Sequence, residues 1–209
     1  MPLIRKGAND KYAADVGAQG DNASLLLGGD RDQRWAAART LADYPDGGKA
    51  LAAALPNEQD PRVREAILTG LIRHPGDASV TAILPLIGSD DASVRTGALD
   101  ALRAMPEALA ARLGEVLADP DPDVRLLVCD LVRVLPSTEA SRTLSDLLDR
   151  ETELNVCAAA LDALAEVGGL EARPALERCA ERFAAEPFLR FAVRAALDRI
   201  GAPSPEPRG

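Results

Sequence analysis

The sequence predicts an all-α protein, a right-handed α-α superhelix of about five helical hairpins followed by a terminal helix. Three observations predict it. One template of fixed chemistry recurs along the chain after residue 29. Aromatic residues make up only 3% of the 209 residues while hydrophobic residues make up 47%, a palette of Ala, Leu and Val that suits closely approaching helices better than a sandwich or barrel. Within each copy the aliphatic positions fall at i, i+4 and i+8, the stripe of an amphipathic helix.

The template is anchored on Arg34, Arg64, Arg95, Arg125, then Cys157 and Arg190, separated by 30, 31, 30, 32 and 33 residues. Four positions earlier stands an acid: Asp30, Asp60, Asp91, Asp121, Glu153 and Glu186. One position before the anchor lie Val63, Val94, Val124, Val156 and Leu189, with Gln33 as the polar exception, and seven after it lie Leu41, Leu71, Leu102, Val132, Leu164 and Leu197. Eleven after it stands a breaker: Pro45, Pro75, Pro106, Pro136, Gly168 and Gly201.

In chain order, residues 1–21 are rich in Ala, Gly, Asp and Asn, lack the template, and are predicted to form a flexible tail. Asn22–Leu27 is predicted to lay a short helix over the open N-terminal face of the repeat domain, residues 22–201. The first helix of each hairpin starts at the acid, an N-cap for the free N–H groups of the first turn, followed by Pro at N1 in Asp60-Pro61, Asp121-Pro122 and Glu186-Pro187. It ends at the Pro or Gly breaker. The second helices are read at GKALAAAL, VTAILPLI, LAARLGEVL, SRTLSDLL and ARPALERCA. No single hairpin can bury its own apolar face, so stacking neighbours builds the core. The closing segment, residues 202–209, is Pro-rich and predicted to be disordered or extended.

The segments DPRVREAILTGL at Asp60–Leu71, DASVRTGALDAL at Asp91–Leu102 and DPDVRLLVCDLV at Asp121–Val132 resemble the short bacterial HEAT repeat of the PBS-lyase-like kind. The resemblance covers about residues 22–201 and implies a HEAT-like solenoid. It also implies that the acid and arginine columns form a ladder of hydrogen bonds between successive repeats. Asp30, Arg34, Asp60, Arg64, Asp91, Arg95, Asp121, Arg125, Glu186 and Arg190 would then be structural, and Cys157 leaves Glu153 without its expected partner.

Three surfaces are candidates for contact with another protein or peptide. The first is the N-terminal tip, where Leu3 and Ile4 adjoin Arg5 and Lys6. The second is Trp35 with Tyr44; Trp35 shares its template column with Phe191, and packing of atypical terminal repeats accounts for both aromatics. In HEAT-like stacks the second helices line the concave face, which makes Arg112, Glu115, Arg142, Asp146, Glu177, Arg178 and Glu181 a mixed-charge strip suited to reading a peptide or a folded partner.

No catalytic, cofactor or metal site is read from the residues. The only histidine, His74, precedes Pro75 at a helix end, is predicted to face solvent, and has no second His or His-Glu pair beside it. Cys129, Cys157 and Cys179 lack metal-site spacing and read as buried thiols, not disulfides. A net charge of −9 argues against nucleic acid. No apolar run spans a bilayer and no signal-peptide core is present at the start, so a cytoplasmic monomer is expected, with no membrane partner. The function expected is a non-catalytic scaffold or adaptor, regulating a bacterial signalling or assembly complex. The alternative, carried by the resemblance alone, is a bilin lyase or tetrapyrrole-handling chaperone.

Overall fold

A computed structural model describes residues 6–201, and the side chains of 17–201. Thirteen α-helices and no strand occur among the described residues. The chain divides between Ala108 and Leu109 into two compact units, within the short helix α7 (Pro106–Ala110).

The first unit opens with α1 (Lys6–Gly28). The helix predicted at Asn22–Leu27 therefore begins much earlier, and residues 6–21 are helical where the sequence predicts a flexible tail. Side-chain bonds to the preceding turn, Asn22 Nδ2 to the Ala18 carbonyl at 2.7 Å and Ser24 Oγ to the Gly20 carbonyl at 3.0 Å, accompany its last turns. It packs on α2 (Arg31–Leu41) and α3 (Gly47–Ala54). Next come α4 (Pro61–Ile72), α5 (Asp77–Ile83) and α6 (Ala92–Arg103). The helices α2, α4 and α6 stack in order, and α1, α3 and α5 form a parallel layer behind them. Both α3 and α5 finish in a 3-10 turn, at Leu55–Asn57 and Leu84–Gly88, because Pro56 and Pro85 have no N–H to continue the α-helical bonding.

The second unit holds α8 (Leu113–Val116), α9 (Pro122–Leu131), α10 (Ser137–Arg150), α11 (Leu154–Val167), α12 (Arg173–Arg182) and α13 (Pro187–Ile200). Here α9, α11 and α13 stack in order and α10 lies beside α12.

The apolar columns form the core in both units. Val63, Ile67 and Leu71 are fully buried in α4; Val156, Ala160 and Leu164 are buried in α11. Each fully buried Val, Leu or Ile contributes about 1.5–3 kcal/mol relative to exposure. Gly70 lets the layers approach, since a Cβ there would stand 2.6 Å from Leu51 Cδ1. Cys129, Cys157 and Cys179 are all free and buried.

The acid column divides by side-chain length. Asp30, Asp60, Asp91 and Asp121 accept first-turn amides from Gln33, from Arg62 and Val63, from Ser93 and from Asp123. Glu153 and Glu186, read as the same kind of cap, make no such bond, since glutamate lacks the short reach that favours Asp, Asn and Ser at an N-cap.

The arginines do not bond to the aspartates of the next repeat. Arg34, Arg64, Arg95 and Arg125 turn back onto carbonyls of the preceding loop: Gly29 at 3.1 Å, Glu58 at 3.0 Å, Ser89 at 2.6 Å and Asp119 at 2.8 Å. Cys157 directs its thiol to the corresponding Glu151 carbonyl at 3.8 Å. Within the arginine column, the bonds that reach the next repeat are instead two forks, Arg34 on Glu58 at 2.8 and 3.1 Å and Arg125 on Glu151 at 2.8 and 3.0 Å. Arg190 makes no ion pair among the described residues and stands exposed.

These two glutamates belong to a column the sequence reading missed. Two residues before each cap, Glu58, Ser89, Asp119 and Glu151 accept the cap residue's own amide, from Asp60 at 2.8 Å, Asp91 at 3.2 Å, Asp121 at 2.8 Å and Glu153 at 3.0 Å. Only the glutamates are long enough to hold an arginine as well.

Candidate protein-binding groove

In the first unit, α2 and α4 leave an open groove of about 790 Å³ along their outer faces. Trp35 projects from the second turn of α2, with Arg39 one turn later and Arg62 opening α4 opposite. Both guanidiniums stack on the indole, Arg62 at 4.1 Å and Arg39 at 4.7 Å from a ring centroid, within the range of cation–π attraction. Arg62 is also tied to Asp32 at 3.2 Å, so the indole is fixed from two helices.

Tyr44 lines the far end of the same groove, beside Arg73 and Asp43, which pair at 2.6 Å. Trp35 and Tyr44 are thus brought together, as a half-buried pair. A second groove of about 880 Å³ follows between α4 and α6, sharing Arg62, Glu65 and Thr69 with the first and adding the apolar Leu68 and Ile72.

Phe191 does not share the environment of Trp35. It is 71% exposed, so packing of a terminal repeat, which the shared column suggests, does not hold for it. Among the described residues no helix follows α13 to cover this column as Arg62 covers Trp35.

The mixed-charge strip lies in the second unit. Arg112 pairs with Glu115 at 3.0 Å within its own turn. On the adjacent helices α10 and α12, Arg178 forks onto Asp149 at 2.9 and 2.7 Å, and Arg173 approaches Glu177 at 3.7 Å. Arg142, Asp146 and Glu181 are exposed. The hydrogen bond from Arg178 outweighs burial and holds the Asp149 carboxyl below the usual aspartate range. Sequence reasoning missed Asp149, and also Arg133, which bridges Asp130 at 3.0 Å, Asp162 at 2.6 Å and Glu166. Leu3, Ile4 and Arg5 lie outside the described residues, and Lys6 opens α1.

His74 is half-buried, not the solvent-facing side chain expected. Its Nε2 meets the Ala42 carbonyl at 3.1 Å, and its own carbonyl accepts Ser79 Oγ at 2.7 Å, so it staples the end of α2 to the end of α4. Among the described residues no group of three His, Cys, Asp or Glu side chains could hold a metal ion. No described helix is long and apolar enough to cross a membrane.

Residues 110–198 match the HEAT repeats family. Among solved structures, the chain is similar to Drosophila melanogaster Mini spindles TOG3, with a TM-score of 0.61 and 16% identity over 90% of this chain and 97% of that one. It is also similar to an engineered protein, at TM-score 0.43 and 18% identity over 88% and 96% of the two chains. A designed armadillo repeat protein gives a TM-score of 0.41 and 15% identity over 87% and 99%. No curated protein matches in sequence.

Proposed function

We propose that this chain, a HEAT-repeat protein by its residues 110–198, is a non-catalytic protein-binding scaffold whose Trp35 groove receives a segment of its partner. Helical repeat stacks of this family typically serve as interaction surfaces and not as catalysts. The observation that carries the reading is Trp35, the only tryptophan of the sequence, held half-buried between two arginines beside Tyr44 in an open groove.

Trp, Tyr and Arg are the residue types that dominate binding energy at protein interfaces. A ring already fixed by Arg39 and Arg62 loses little further freedom when a partner covers it. The mixed signs along the groove, with Arg39 and Arg73 facing Asp43 and Glu65, favour a protein segment over a polyanion, consistent with the net charge of −9. The same reading takes the chain as a cytoplasmic monomer and gives the α10–α12 strip a supporting role. It leaves the only histidine, His74, bonded to the Ala42 carbonyl.

The test is quantitative capture from the source cell with full-length protein against Trp35→Ala, the fold of both checked by circular dichroism. Loss of the captured proteins with Trp35→Ala supports the groove. Retention of the same set at the same yield rejects it.

A further inference from the structure

We propose that the outer face of α13 is a second docking surface, for an acidic partner segment that carries apolar side chains. It is independent of the Trp35 groove. Phe188 and Phe191 are 67% and 71% exposed. Spaced i, i+3, they lie on one helical face, one turn apart. Two of the three phenylalanines of the sequence are therefore held in water next to one another, an arrangement that marks an interaction site more than an isolated exposed ring does.

The charges around the rings identify the partner. Helix α13 carries Arg190, Arg194 and Arg199 against a single acid, Asp198, on a chain whose net charge is −9. All three arginines are exposed and make no ion pair among the described residues. Elsewhere in the same unit Arg125 is engaged by Glu151, Arg133 by three acids and Arg178 by Asp149. Arg194 stands one turn from Phe191, and Arg199 returns to the face of Phe188 three turns on, so cations flank the aromatic patch.

A guanidinium exposed to solvent can fork onto a carboxylate. Leucine or aromatic side chains on the same segment would cover the two phenylalanines. The two phenylalanines distinguish such a segment from a bare polyanion, which has no apolar side chains to cover them. A twofold contact between copies would place α13 against α13, arginine facing arginine, and is disfavoured by the repulsion of these like charges.

The probe is a fluorescently labelled amphipathic peptide with leucines at i, i+3, i+4 and i+7 and glutamates on both flanks, titrated with the full chain by anisotropy. The control peptide carries lysine at every glutamate. The acidic peptide is expected to bind and the lysine peptide to bind at least about tenfold more weakly. Phe188→Ser with Phe191→Ser, and separately Arg194→Glu with Arg199→Glu, should each weaken the acidic peptide at least about tenfold. Trp35→Ala should leave it unchanged, which keeps this result distinct from the fate of the groove. The four substituted side chains of α13 are all exposed, and circular dichroism verifies the fold of every variant. Equal binding of the two peptides, or indifference to both double variants, overturns the proposal. Self-association that the phenylalanine variant abolishes, seen by sedimentation without peptide, reassigns the face to a second copy and also overturns it.

Discussion

Arg125 lays Nε and Nη2 on the two carboxylate oxygens of Glu151 at 2.8 and 3.0 Å, reaching from one repeat to the loop that opens the next. The pair is shielded, with side-chain exposures of 14% and 5%. Glu151 also accepts the amides of Thr152 and Glu153, so one carboxylate shapes the loop and joins the repeats. Removing it leaves the Arg125 Nε and Nη2 and two amides without that acceptor, while Nη1 keeps the Asp119 carbonyl. Glu151→Ala is expected to cost about 2–3 kcal/mol, since stripping one partner from a shielded, hydrogen-bonded pair destabilises strongly. Urea denaturation followed by circular dichroism measures it; a loss below about 0.5 kcal/mol would show that the fork is incidental.

The same geometry predicts a gain elsewhere. Arg64 occupies the position in α4 that Arg34 occupies in α2, but the residue in place of Glu58 is Ser89, whose hydroxyl satisfies only the Asp91 amide. Ser89→Glu should supply the missing fork and stabilise the chain by up to about 1 kcal/mol, the upper range for a partly exposed pair. In the Arg64→Leu background the gain should vanish. A gain that persists there would place its origin in the loop and not in the fork.

Why one part of this was legible in sequence and another was not follows from where each residue acts. The acid, aliphatic and breaker columns act within their own helix, so spacing alone exposes them. Glu58 and Glu151 lie in loops, and their columns are mixed with Ser89 and Asp119, so the pattern shows only once the amide each one accepts is known. The stacking of Arg62 on Trp35 depends on how α4 is set against α2, which a template aligned in one dimension does not carry. Phe191 misleads for the same reason: it shares the column of Trp35, but among the described residues no helix follows to cover it. The length of α1 was hidden by Gly17 and Gly20, weak helix formers, in a helix that packing on α2 and α3 sustains.

Acid should weaken the fold through the same two glutamates. Burial pushes the Glu58 and Glu151 carboxyls up, but the bonds from Arg34 and Arg125, together with backbone amides, outweigh it and hold both below the ordinary glutamate range. With folded values below the unfolded value of about 4.3, the unfolded chain takes up protons first as pH falls. Their contribution is therefore whole above about pH 4.3 and is lost as pH drops through the folded values. Urea midpoints should not change on their account between neutral pH and about 5, then fall. The Glu58→Gln, Glu151→Gln double variant should be less stable at neutral pH and lose less on acidification. An acid slope equal to that of the unsubstituted chain would remove these two groups from the account.

The thiols should be inert in the native protein. Burial pushes Cys129 up to about 12, and a hydrogen bond to Cys179 together with burial raises Cys157, so neither forms the thiolate that reacts. The bond from Cys157 pulls Cys179 down instead, so its protection rests on burial, the residue being 1% exposed. Ellman's reagent should label none of the three cysteines of the sequence rapidly in buffer and all of them in denaturant. Labelling of Cys129 at the rate of a free thiol in buffer would contradict its burial.

Two glycines separate close packing from helix propensity. At Gly47 a Cβ would lie 1.8 Å from the Leu41 carbonyl oxygen, inside the turn that reverses the chain from α2 into α3. The obstruction is backbone, so no rotamer change relieves it and the turn itself must open. At Gly114, in α8, a Cβ meets nothing within 4 Å, and alanine there gains helix propensity and restricts the unfolded chain. Gly47→Ala should therefore destabilise by about 2 kcal/mol or more, in the range of overpacking and backbone displacement, while Gly114→Ala should be neutral or stabilise by up to about 1 kcal/mol. Paired urea titrations decide between this and a turn that yields freely: equal midpoints for the two variants would mean that α2 and α3 are not held as tightly as the Leu41–Gly47 contact requires.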